Sequence, residues 1–239
     1  MICVSDRIDE LVARFPTPAE DGKLAQVDAA ATASALAELV QGSRLAASTL
    51  IARVTPPQEG GDTRAAHALH ALVTYVCVPD REGPRRAVAS ALAAALDDDR
   101  PKPLKAFLIR QLQLVGTGDV VATLARFLLD EELGDPALQA LLAIRPFDLG
   151  NRLCEVVPPA SDRRRAALAQ ALGAIRDAKA IPFLKPLTTT DDREVRLAAV
   201  WALARIADPR TIDAILKAAD TAAGFERIKA TQACLLLAE

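Results

Sequence analysis

The C-terminal third of the chain repeats itself at a fixed offset of 31 residues. Arg165 falls on Arg196, Ala167 on Ala198, Ala171 on Ala202, Leu172 on Leu203, Ile175 on Ile206, Asp177 on Asp208, Ile181 on Ile212 and Leu184 on Ile215. A period of this length is one supersecondary unit used again, so the sequence predicts a stacked array rather than a globule closed around a catalytic pocket. Within the unit the spacing is helical. Val195, Ala198, Ala199, Ala202, Leu203 and Ile206 form one apolar stripe, and Leu197, Val200, Trp201 and Ala204 form a second on the far side, so this helix must be covered from two directions. The turn Ala207-Asp208-Pro209-Arg210 stops it, because the residue before proline is pushed out of the α region, and Thr211 caps a second helix. The product is a helical hairpin.

The same pattern predicts hairpins at about 22–54, 63–97, 102–129, 135–157, 162–188 and 192–220, after a leader segment 1–21 and before an unpaired final helix 225–239. Unit 135–157 reads as degenerate, shortened and broken by Pro146. Pro56 to Asp62 reads as a turn-rich separator, and no segment alternates as a strand would. The fold class is therefore all-α.

Composition narrows the function. Ala, Leu and Val carry the 51% apolar fraction and aromatics are only 3%, which suits closely packed helices. A net charge of −2, acidic in residues 1–144 and basic in 145–239, gives no general drive toward nucleic acid or anionic lipid. Cys3, Cys77, Cys154 and Cys234 lie far apart without a CxxC pair and read as small buried apolar side chains. Apolar runs are about half of what a bilayer span needs, and the N-terminus reaches charge within seven residues, so the chain as given reads as cytoplasmic. A start further upstream would reopen export and an extracytoplasmic place.

Three constellations bear on chemistry. His67 and His70 sit three apart on a predicted helix, but two imidazoles without a third strong donor make interhelical histidines, not a metal site. The recurring Asp177/Asp208 and Arg165/Arg196 form a ladder, once per unit, where catalysis needs one unique arrangement; Asp is expected to accept turn N–H groups and Arg to pair between units. Arg163-Arg164-Arg165 with Arg152, Arg176 and Lys179 could make a basic strip for a phosphate backbone, yet one Trp, one Tyr and near-neutral charge argue against nucleic acid. No catalytic residue, cofactor or metal ligand is assigned, and the chain is expected not to be an enzyme.

The run from Asp192 to Ile212 resembles a HEAT repeat, and more narrowly the short bacterial form named after phycobilisome lyases. The resemblance implies a right-handed α-solenoid whose second helices line a groove that holds protein partners. A vaguer similarity, including Lys105 to Leu112, is to HEAT segments of large planctomycete proteins that accompany sugar-processing or haem-binding domains; it makes a regulatory or substrate-presenting segment of a larger enzyme the alternative. On the second helices, Phe127 and Phe183, edged by Arg126, Lys185 and Lys217, are the expected partner-binding residues, for an acidic helix or extended peptide.

Overall fold

A computed structural model of the chain describes residues 4–16, 28–55 and 63–238, and these contain helices and turns and no strand. The separator 56–62, much of the leader and the start of the first predicted hairpin lie outside the described residues. The chain divides into two compact units, Met1–Leu124 and Ala125–Glu239.

The first unit begins with α1 (Val4–Val12), in the stretch read as a leader, and buries Ile8, Leu11, Val12 and Phe15. Then come α2 (Ala29–Leu39), α3 (Ser43–Arg53), α4 (Arg64–Tyr75), α5 (Glu82–Ala95) and α6 (Lys102–Val115). Asp28 caps α2, its side chain accepting from the Ala31 N–H at 3.0 Å. Packing alternates: α3 lies on α5 and α4 on both α2 and α6, so first helices stack on first helices and second on second. Helix α7 (Val121–Ala125) ends this unit and opens the next.

The second unit holds α8 (Gly134–Ile144), α9 (Leu149–Val156), α10 (Asp162–Ile175), α11 (Ile181–Leu184), α12 (Arg193–Ile206), α13 (Ile212–Thr221) and α14 (Gly224–Ala238). Helices α8, α10, α12 and α14 form one row, each packed on the next. Here the 31-residue register runs further back than the sequence reading placed it. Asp130, Ser161 and Asp192 each accept a backbone N–H at a helix start, from Leu133, Arg164 and Val195. Leu141, Leu172 and Leu203 are all fully buried, as are Leu153 and Leu184 on the second helices and Ile215 after them. Arg145, Arg176 and Ala207 end their helices in the left-handed conformation, with φ of 50°, 55° and 56°. Unit 135–157 thus keeps the register of the array, with a shortened first helix of 11 residues against 14 in α10 and in α12. Pro146 follows a helix that has already ended, a position proline commonly takes after such a cap.

Register also explains a buried charge. Arg164 occupies the place held by Leu133 one unit earlier and Val195 one unit later, and all three side chains are buried. Its Nε donates to the Leu128 carbonyl at 3.0 Å and its Nη1 to the Asp135 carboxylate. Gly134 leaves the room, since a Cβ there would lie 2.6 Å from the guanidinium carbon.

Candidate functional site

The predicted constellations resolve into structural roles. His67 Nδ1 is 3.2 Å from the Pro16 carbonyl, in the segment after α1, and His70 Nδ1 is 2.9 Å from Gln111 Oε1 on α6, so the two rings serve different bonds. Asp177 and Asp208 accept from the N–H of Lys179 and Arg210, both at 2.9 Å, capping the 3₁₀ turns Ala178–Ala180 and Pro209–Thr211. Arg210 also donates through its side chain to Asp208 and, with that N–H, holds the carboxyl at about 2, below its ordinary range. Arg196 reaches Glu226 of the next first helix at 2.8 Å and the carbonyls of Thr190 and Asp191 at 2.7 Å. Arg165 instead pairs with Asp162 on its own helix, because the position matching Glu226 one unit earlier is Val195.

Three of the six cations that could have made a basic strip are engaged elsewhere. Arg164 is turned into the interior, Arg152 pairs with Asp148 at 2.7 Å, and Arg165 with Asp162 at 2.9 Å. Cys154 is buried, and its thiol is pushed up to about 11 by that burial, with the Asp177 and Glu155 charges adding. Among the described residues no group of three His, Cys, Asp or Glu is placed to hold a metal.

Of the expected partner-binding residues, Arg126 and Phe127 lie in the turn after α7, the guanidinium 5.9 Å from the ring centre. Phe183 on α11 is 39% exposed, and Lys185 and Lys217 are exposed on α11's cap and on α13. In chain order the α8–α9 hairpin lies between Phe127 and Phe183. Phe183, Lys185 and Lys217 come from adjacent hairpins.

A different surface is better formed. Helices α10, α12 and α14 enclose an open groove of about 680 Å³ on the row of first helices. Its floor is α12, through Leu197, Val200 and Trp201; Ala166 and Gln170 of α10 form one wall and Phe225 and Lys229 of α14 the other. Trp201 is 39% exposed and Phe225 53%. Around Phe225 stand Arg193, 5.2 Å from the ring centre, and Lys229 at 5.4 Å, both within cation–π range. Arg205 and Glu194 close the two ends of the α12 floor. The sequence signal was the second stripe on α12, which was expected to be fully covered: Val200 and Ala204 are buried as required, while Leu197 and Trp201 line the groove.

Residues 151–235, the segment carrying the groove, match the family model for HEAT repeats. No curated protein matches the chain. Among solved structures it is similar to human deoxyhypusine hydroxylase in complex with glycerol, at 15% identity, 98% of this chain, 96% of that one and a TM-score of 0.45. It is also similar to an engineered protein, at 17% identity, 97% of this chain, 68% of that one and a TM-score of 0.42. The first of these is an enzyme, and with it the expectation that the chain is not an enzyme is withdrawn. The HEAT-repeat resemblance stands over 151–235, on an all-helical stack of hairpins consistent with an α-solenoid. No helix among the described residues is long and apolar enough to cross a membrane. The described residues are all helices and turns, and residues 151–235 of the chain match HEAT repeats.

Proposed function

We propose that this scaffold holds a protein partner, and that the partner docks in the groove of α10, α12 and α14. One observation carries the reading: the chain's single Trp and its most exposed helical Phe stand in the same groove, in a protein where aromatics are scarce. Large aromatic side chains in a concave, partly apolar site are what hot spots of protein interfaces are made of. Affinity capture from the native source tests it. A partner retained by the parent chain is lost from Phe225→Ala, and the variant stays folded by circular dichroism.

The second reading is the face of the second helices, with Phe183, Lys185 and Lys217 as its core and Arg126 and Phe127 as a separate outlying pair. The exposure of Phe183 supports it. In the same capture, loss with Phe183→Ala and retention with Phe225→Ala selects this face. A regulatory or substrate-presenting role within a larger enzyme uses either surface.

A further inference from the structure

The groove has a shape and a charge that restrict what fits. Its walls are helices, which offer no free edge of backbone N–H and C=O groups, so an extended peptide would gain no ladder there. Its floor runs along α12 from Glu194 to Arg205, about 16 Å at 1.5 Å per residue, or three helical turns. A partner helix can lie along this floor, over Leu197 and Trp201, with Gln170 on one side and Phe225 on the other.

Charge points one way. Arg205 has no ion-pair or hydrogen-bond partner among the described residues, and Lys229 has only Gln232, at 3.2 Å. Glu226 is already taken by Arg196 at 2.8 Å, with Arg193 at 3.4 Å. Glu194, also without an ion-pair partner among the described residues, is the single carboxylate in the lining, against the two cations Arg205 and Lys229. Residues 151–235 as a whole hold 14 Lys/Arg and 10 Asp/Glu, a balance of +4 in a chain of net charge −2. The unspent charge of the groove is positive.

We propose that the groove takes an acidic amphipathic helix of a partner protein, its apolar stripe on Trp201 and Phe225 and its carboxylates on Arg205 and Lys229. This rests on the reading that the groove is the partner site, and it names what that partner presents.

Trp201 reports on it directly, being the chain's single Trp. Three peptides of about 18 residues, free of Trp and Tyr and sharing one leucine stripe at helical spacing, carry Glu, Lys or Gln at the remaining positions. Each is titrated into the full chain while Trp201 emission is followed. The Glu peptide shifts the emission to the blue and binds about tenfold tighter than the Lys peptide at low salt, a difference that shrinks at 1 M salt, where the screening length is about 3 Å. Arg205→Glu and Lys229→Glu each weaken the Glu peptide about fivefold. Phe225→Ala weakens all three peptides.

Equal binding of the three peptides, or preference for Lys, overturns the acidic partner and leaves the groove as the docking site. An emission shift that follows protein concentration without peptide overturns it too, because a second copy then fills the groove. No response to any peptide likewise overturns it; the docking site itself then stands or falls with capture by Phe225→Ala.

Discussion

Arg164 gives its Nη1 to Asp135 from a side chain with no exposed surface, while Asp135 is half exposed. The pair sits where Leu133 and Val195 sit in the neighbouring units, so a charge fills a core position of the array. Removing the carboxylate strands a buried cation; removing the cation leaves a carboxylate that water can reach. Asp135→Ala is therefore expected to cost about 1–3 kcal/mol in denaturant unfolding. Arg164→Met, which supplies what the register asks for, is expected to cost less than Asp135→Ala or to stabilise. The opposite order would show that the pair contributes more than its desolvation costs.

Gly173 brings α10 onto α12. A Cβ there would lie 2.6 Å from the Cα of Ala202, a backbone atom that cannot turn aside. Ala in place of Gly within a helix ordinarily gains about 0.5–1 kcal/mol. Here the clash dominates, and Gly173→Ala is expected to destabilise by about 1–3 kcal/mol, read as a lowered denaturation midpoint.

The array was legible where side chains of one helix declare its buried face. Leu172 and Leu203, aligned by the 31-residue offset, are both fully buried. Leu141 belongs to the same register, but Pro146 interrupts the sequence pattern beside it; a left-handed cap at Arg145 ends the helix before the proline acts, and backbone conformation of that kind is not written in residue type. Arg164 was misplaced for a related reason. Three consecutive arginines read as a solvated run, and only the register shows that the middle one falls on a core position. The groove was the least legible feature, since Gln170, Trp201 and Phe225 are brought together by packing of helices that are remote in sequence, and a stripe needing cover does not say how completely it is covered.

Asp208 makes a pH prediction. Its bonds from Arg210 hold the folded carboxyl at about 2, below the ordinary 3.8. A carboxyl with a depressed folded pKa contributes stability above its ordinary range and loses it as pH falls from about 4 toward 2. Carboxyl-carbon NMR is expected to give a midpoint near 2 for Asp208, moving up toward the ordinary value in Arg210→Ala.

Cys154 titrates in the other direction. Burial, with Asp177 and Glu155 nearby, raises its thiol to about 11 from an ordinary 9.0. The neutral thiol is the form the fold favours, so its contribution is complete below about 9 and declines as pH rises toward 11. Brief alkylation at pH 8 followed by mass spectrometry is expected to leave Cys154 unmodified in the native protein and to label it after unfolding.

The central claim is that the row of first helices, and not the second-helix face, meets the partner. A photoreactive phenylalanine replacing Gln170 on the groove wall, and separately replacing Phe183 on α11, irradiated in extract of the native source, tests it most directly. The account predicts a discrete crosslinked partner from position 170 that Phe225→Ala abolishes, and none from position 183. A partner captured from position 183 alone would contradict it.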